Sequence, residues 1–157
     1  MLPIKFSLCL LLLIWYNSPL IKEEKLQHNV WQETELHVTT PNEPGIMGRV
    51  LGTLANAGVN LKALCAYSEG KKGVFYLITS DNKKAEKSLK ALGYKVENHQ
   101  VVIVKIDDRI GAGAEIGALL GNAAIDIEYC YATSVGAGQA LLILKTNNNQ
   151  KAIETLS

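Results

Sequence analysis

The sequence has only three cysteines, Cys9, Cys65 and Cys130, and none of them belongs to a C-x-x-C pair. An odd number without that spacing supports neither a disulfide framework nor a zinc site of recognised spacing. We therefore interpret the cysteines as small apolar residues, two of them in predicted strands.

The chain also has no large excess of positive or negative charge. Sixteen Lys and Arg residues stand against fifteen Asp and Glu residues, mixed along the chain, with a net charge of +1. This balance leaves no basic surface for a phosphate backbone or an anionic lipid, so no nucleic-acid partner is expected. The length and the 48% apolar content suit one domain or two small ones.

The residue groupings typical of enzymes are absent. His28, His37 and His99 lie far apart in sequence with no acid or thiol pattern beside them, so we predict no metal and no cofactor. No G-x-x-x-x-G-K loop occurs, and "GAGAEIGALLG" (residues 111–121) has Ile116 where a dinucleotide fingerprint needs its third glycine. The expectation is a protein without catalytic activity.

No apolar run is long enough to cross a membrane as a helix. The longest, residues 6–16, has eleven residues behind the single positive charge of Lys5. It fits a signal-peptide core, but no A-x-A-like cleavage site follows. The other interpretation is a mis-called start, with residues 1–33 as an extension. The expected location is the cytoplasm, or a membrane or the exterior if residues 1–20 are a real anchor or signal.

The rest of the chain contains a repeat. Gly45 and Gly111, Asn56 and Asn122, and Gly70 and Gly136 are each separated by 66 residues, and apolar positions between them coincide without a gap. Two copies of one structural unit explain this better than chance does.

Each copy has the order strand, helix, strand, strand, helix. In the first, residues 35–40 form a short strand, and apolar residues from Ile46 recur at helical spacing up to Gly58. Residues 59–68 and 73–80 resemble a hairpin, Asp81 can cap a second helix that ends at Gly93, and residues 94–98 form a final strand. The second copy repeats this order but stops before its last strand.

The pattern β-α-β-β-α-β predicts an α+β fold of two ferredoxin-like units, with antiparallel sheets and helices on one face. We place the first unit at residues 34–99 and the second at residues 100–157, which lacks its last strand. Each unit is small, so the two should pack together, with their sheets joined or opposed.

A glycine ends the turn before the first helix of each copy, at Gly45 and Gly111. The first N–H groups of a helix have no internal partner and favour an anion, and glycine removes the side chain that would obstruct it. Pro44 suits the helix start, where no N–H donor is needed. The alternative is that Pro-Gly only shapes a tight corner.

The stretch "NEPGIMGRVLGTLANAGVNLKAL" (residues 42–64) resembles the signature of the ACT domain: a Pro-Gly corner, a helix ending in Ala-Gly, and an Asn opening the next strand. With "IDIEYCYA" in the second copy, the chain is similar to stand-alone proteins with two ACT domains. The second copy departs from the signature, since Ile110 replaces the proline and Asp126 the asparagine.

The resemblance implies a non-catalytic regulatory protein that binds a free amino acid where ACT units meet. It also implies a homodimer and a metabolic enzyme as a possible partner. The positions that match the family's site in the first copy are Asn42, Pro44, Gly45, Ile46, Met47, Asn60 and Leu61. Those in the second copy are Gly111, Ala112, Asp126 and Ile127. The alternative function is an assembly subunit that pairs with an enzyme through exposed strand edges and binds no small ligand.

Overall fold

A computed structural model describes residues 28–157. The apolar run at residues 6–16 and Cys9 lie outside this range. The elements are β1 (Asn29–Pro41), α1 (Ile46–Asn56), β2 (Leu61–Glu69), β3 (Lys72–Thr79), α2 (Asn82–Ala91), β4 (Lys95–Asp107), α3 (Ala112–Asn122), β5 (Ile127–Gly136), β6 (Gln139–Thr146) and α4 (Asn149–Leu156). The α+β class and the repeated strand and helix order are confirmed.

The two units share one antiparallel sheet of six strands, in the order β2-β3-β1-β4-β6-β5. The long central strands β1 and β4 have 13 residues each. Strand β4 is both the last strand of the first unit and the first strand of the second. The boundary expected between residues 99 and 100 therefore falls inside a continuous strand.

The first part of β1 completes the second unit. Asn29–Thr34 pairs with Lys105–Gln100 of β4, in the place that the last strand of a second β-α-β-β-α-β unit would occupy. We placed residues 29–33 in the N-terminal extension because residues 21–32 are polar and show no recognisable pattern. That placement is wrong for residues 29–33, which belong to β1. No strand follows α4 within residues 28–157.

All four helices cover one face of the sheet, as predicted. The register of β1 with β4 runs without a shift, so even-numbered residues of both strands point the same way. Leu36 and Val38 pack against α1 and α2 in one core, whereas Val102 and Val104 pack against α3 and α4 in another. Among residues 28–157, no helix is long and apolar enough to cross a membrane.

The helix-free face is concave. Ala63 of β2 and Tyr131 of β5 belong to one apolar cluster there, although their strands are the opposite edges of the sheet. Tyr76 of β3 stacks on Tyr129 of β5, with ring centroids 4.5 Å apart. The twist of the sheet therefore curls it until its two edges approach each other.

The residues that were predicted to begin and end helices do so in the structure. The carboxylate of Asp81 accepts a hydrogen bond from the Lys84 N–H, at 3.0 Å, and caps α2. Gly58 ends α1 with φ of +68°, a left-handed conformation that glycine adopts without strain. The matching position of the second unit is Ala124, which adopts φ of +53° despite its side chain.

Candidate functional site

The first candidate site is the N-terminal end of α1, residues 42–47, which we call the first helix mouth. Gly45 has φ of +83° and no side chain caps the helix. The N–H of Ile46 donates to Glu43 O at 3.1 Å and that of Arg49 to Gly45 O at 3.1 Å. The N–H groups of Met47 and Gly48 find no acceptor among the described residues, so this end offers two free donors.

The loop of this mouth is held by the turn between β2 and β3. The Asn42 N–H donates to Lys71 O at 2.9 Å, and its side-chain amide donates to Gly70 O at 3.4 Å. Ile46 points into the core, whereas Met47 is 50% exposed and Pro44 is exposed. Asn42 therefore fixes the backbone of the loop, and Met47 is the exposed apolar side chain at this end of the helix.

Asn60 and Leu61 lie at the other end of α1. The Asn60 N–H donates to Ser80 Oγ at 2.9 Å, and the Ser80 N–H donates back to Asn60 O at 2.9 Å. The side chain of Asn60 is exposed, whereas Leu61 is half-buried against the first core. Because α1 has 11 residues and rises about 1.5 Å per residue, roughly 16 Å separates Asn60 from Gly45. One amino acid cannot touch both residues of the same chain.

The second helix mouth, at the start of α3, differs in its side chains. Gly111 has φ of +89°, and the Ala112 N–H donates to Arg109 O at 3.3 Å. Ile110 is fully exposed where the first mouth has Pro44. Glu115 lies in the first turn and is bound by both guanidinium nitrogens of Arg109. The first turn of this helix therefore carries an acidic side chain, which is paired with Arg109.

Asp126 and Ile127 lie at the opposite end of α3 from this mouth, just after the C-terminus of the helix. The Asp126 N–H donates to Asn147 Oδ1 at 3.1 Å, and the Asn147 N–H donates to Asp126 O at 3.1 Å. The Asp126 side chain is exposed, and Ile127 is 36% exposed at the edge of the sheet. The second unit thus repeats the geometry of the first with an acid in place of the amide.

A family model described as an ACT domain pair matches residues 32–157. The chain belongs to the ACT domain family. Both ACT units lie within the matched range, and its first residue falls inside the strand segment that completes the second unit.

Solved structures agree with this ACT architecture. The chain is similar to a protein from Bacteroides thetaiotaomicron, with 30% identity and a TM-score of 0.75 over 82% of this chain and 88% of that one. The regulatory subunit of aspartate kinase from Thermus thermophilus, in its ligand-free form, has 14% identity and a TM-score of 0.59 over 81% and 93%. The corresponding subunit from Thermus flavus has 15% identity and a TM-score of 0.56 over 83% and 94%. No curated protein matches the chain.

The curled sheet of the ACT pair leaves a cleft of about 290 Å³ between its two edges. Leu61–Leu64 of β2 line one side, and Tyr131–Thr133 of β5 line the other. Leu61 is thus the one residue of the predicted site that also faces this cleft. Both edge strands keep backbone donors and acceptors that the sheet does not use.

The concave face also contains a buried carboxylate that the sequence analysis did not predict. Glu35 of β1 is fully buried and accepts hydrogen bonds from the hydroxyls of Tyr129, at 2.5 Å, and Tyr131, at 2.6 Å. Burial raises the pKa of Glu35, and the two tyrosine hydrogen bonds oppose that rise. The alternation of tyrosines in "YCY" was the available signal, but it does not name a partner more than ninety residues away.

Proposed function

We propose that this protein is a non-catalytic regulator that binds a free amino acid where the ACT units of two chains meet. The observation that carries the proposal is the first helix mouth, where the N–H groups of Met47 and Gly48 have no acceptor among the described residues. A carboxylate satisfies such donors, and the positive end of the helix dipole favours it.

Electrostatics favour the first mouth over the second. The first turn of α1 has no acidic residue, and the Arg49 guanidinium lies beside it, 3.2 Å from Glu43. In the first turn of α3 the helix itself carries the acid, Glu115, and the cation that pairs with it, Arg109, lies on the loop. The hydrogen bond from Arg109 lowers the pKa of Glu115, so this carboxylate stays ionised near neutral pH. We therefore expect one occupied mouth in each chain.

The amide at this site comes from a second copy of the chain. Strand β2 is an edge, and an antiparallel pair of β2 strands would place the start of one beside the end of the other. The end of β2 lies at the first mouth, because Asn42 contacts Gly70 and Lys71. The partner's Asn60 would then reach the ligand that Gly45 of this chain holds. A homodimer with two equivalent sites follows.

In this arrangement each residue of the first mouth has a role. The backbone beyond Gly45 binds the ligand carboxylate, Met47 contacts the ligand side chain, and the partner's Asn60 bonds the ligand's polar groups. Ligand binding would then strengthen the contact between two copies, which is how a protein without catalytic groups can report an amino-acid concentration to an enzyme.

Calorimetric titration of the full chain with each of the twenty amino acids tests the proposal. We expect heat from one of them, or from a small group of related ones. Asn60→Ala should weaken that binding at least tenfold, since a hydrogen bond to a charged ligand contributes about 1.5 to 3 kcal/mol. The matched control, Asp126→Ala, should bind as the parent does. Equal binding by parent and Asn60→Ala would place the site elsewhere.

The second candidate function is an assembly subunit. It is favoured by the cleft between the β2 and β5 edges, which lets another polypeptide pair with either strand. A stable dimer that gives no heat with any of the twenty amino acids would support this function and reject the first.

A further inference from the structure

Three residues with metal-binding side chains meet on the concave face, on the neighbouring strands β1 and β4. His37 lies directly across from Glu97, and His99 is two positions beyond Glu97 on the same strand. Residues opposite each other or two apart share one face of a sheet, so all three side chains point away from the helices. Sequence reasoning expected no metal site because 60 residues separate the two strand segments.

Their potential ligand atoms are close together. One nitrogen or oxygen from each of His37, Glu97 and His99 lies within 4.8 Å of the others. His37 Nδ1 is 3.8 Å from Glu97 Oε2, and the two imidazole rings have centroids 5.0 Å apart. Metal–ligand distances of about 2 Å require only a small rotation of these side chains to close around an ion.

One of the imidazoles has an unused nitrogen. His99 Nδ1 is buried and has no hydrogen-bond partner among the described residues. Buried polar atoms in proteins nearly always have a hydrogen-bond partner, so a buried nitrogen without one points to a group, such as a water or an ion, that completes the site. The ring of His37 also contacts that of Tyr76, with centroids 5.0 Å apart and the ring planes tilted by 34°, and this contact holds the second imidazole in place.

The site is accessible from solvent. The His37 side chain is 21% exposed and that of Glu97 43% exposed, so an ion can enter from solvent. Lys95 Nζ lies 3.0 Å from Glu97 Oε2 and would be displaced by the ion.

We propose that His37, Glu97 and His99 bind a divalent transition-metal ion such as Zn²⁺, with water completing the coordination. Two imidazole nitrogens and one carboxylate are a ligand set that Zn²⁺ accepts with a fourth position open. Calcium and magnesium prefer oxygen ligands and do not fit. This site is on the helix-free face and is independent of the amino-acid site proposed at the helix mouth.

The test is a Zn²⁺ titration of the untagged full chain, stripped of metal, in competition with a chromogenic chelator. We expect one Zn²⁺ per chain, and binding at least tenfold weaker in His37→Gln and in His99→Gln. The matched control is His28→Gln, because His28 precedes β1 and lies about nine strand residues, roughly 30 Å, from His37. Its affinity should equal that of the parent.

Two further measurements keep the proposal falsifiable if a variant folds poorly. In the parent protein, Zn²⁺ should shift the ring resonances of His37 and His99 and leave those of His28 unchanged. A chain with all three cysteines replaced by serine should bind as the parent does. The proposal is overturned if the parent binds no Zn²⁺ at micromolar concentration, if the serine variant loses binding, or if His28 responds instead.

Discussion

The two helix mouths carry the same ion pair with its charges exchanged. Glu43 pairs with Arg49 in the first unit, and Arg109 pairs with Glu115 at the matching positions of the second. In the first unit the cation is on the helix, whereas in the second the anion is. The backbone geometry is common to both, since Gly45 and Gly111 have φ of +83° and +89°. The comparison teaches that a repeated fold can keep a loop conformation while side chains decide what the loop attracts.

The units also differ in how each is completed. The fourth strand of the first unit is the initial part of β4, which follows that unit's other elements in sequence. The fourth strand of the second unit is Asn29–Thr34, from the start of β1. The second core therefore depends on residues that precede the first unit in sequence. Val30 packs against this second core, and Trp31 packs on the concave face.

The largest expected effect comes from removing this fourth strand of the second unit. A chain that begins at Glu35 loses the pairing with Gln100–Lys105 and the burial of Val30 and Trp31. Val30 and Trp31 are partly buried, so each contributes less than the roughly 1.5 to 3 kcal/mol of a fully buried side chain, and the lost backbone pairing adds to this. The free energy of unfolding should fall by about 3 kcal/mol or more. Urea unfolding followed by circular dichroism measures it. A chain beginning at His28 is the control, and equal midpoints would show that the second unit does not need the strand.

Replacing Glu35 with alanine should have the next largest effect, because Glu35 joins β1 to β5 of the second unit. The change leaves the partly buried hydroxyls of Tyr129 and Tyr131 without their acceptor and opens a cavity at the buried position of Glu35. We expect a loss of about 2 to 4 kcal/mol in urea unfolding in metal-free buffer.

The variant Glu35→Leu combined with Tyr129→Phe and Tyr131→Phe is the control, because it removes the polar groups from both sides. Its stability should recover most of the loss. A single Glu35→Ala chain as stable as the parent would mean that the tyrosines find other partners.

The mouths themselves can be compared with one substitution in each. A Cβ added at Gly45 or Gly111 meets no atom within 4 Å, so alanine adds only the strain of a left-handed backbone, about 1 to 2 kcal/mol in either case. Only Gly45→Ala should also weaken amino-acid binding, by about tenfold, because its methyl group stands where the ligand carboxylate approaches. Calorimetry and thermal melting separate the two effects. Equal loss of affinity in both variants would mean that the exchanged charges do not matter.

The smallest expected effect lies at the helix ends. Ala124 adopts φ of +53° where the first unit has Gly58, so Ala124→Gly should relieve strain and raise stability by about 0.5 to 1 kcal/mol. The reverse change in the first unit, Gly58→Ala, should lower it by a similar amount. Urea midpoints measure both, and a destabilised Ala124→Gly chain would show that the alanine is not strained.

Much of the fold follows from local pattern. The repeat predicted two ferredoxin-like units, the second without its last strand, and the order of the elements predicted that the helices cover one face of the sheet. Asp81 and Gly58 marked helix boundaries that the structure confirms. The site was harder. The residues of the first mouth are contiguous, so their shared position was predictable. The predicted helix from Ile46 to Gly58 already separates Gly45 from Asn60 by roughly 16 Å, but only the sheet order shows that β2 is an edge strand that a second chain can meet.

Glu35, His37 and His99 show where sequence reasoning stops. Each has an unremarkable neighbourhood in sequence, and each gains its partners only through strand register or the curl of the sheet. A shift of one residue in the pairing of β1 with β4 would turn these side chains to the opposite face.

The sequence by itself determined the elements, their repeat and the glycine turns, because helical and strand periods are local properties of the chain. Tertiary structure alone decided that the units share β4, that β1 completes the second unit, and that a curled sheet brings Tyr129 and Tyr131 onto Glu35. The physical reason is that an unpaired strand edge accepts any extended segment that can satisfy its hydrogen bonds. Which segment does so depends on the burial gained by the whole chain.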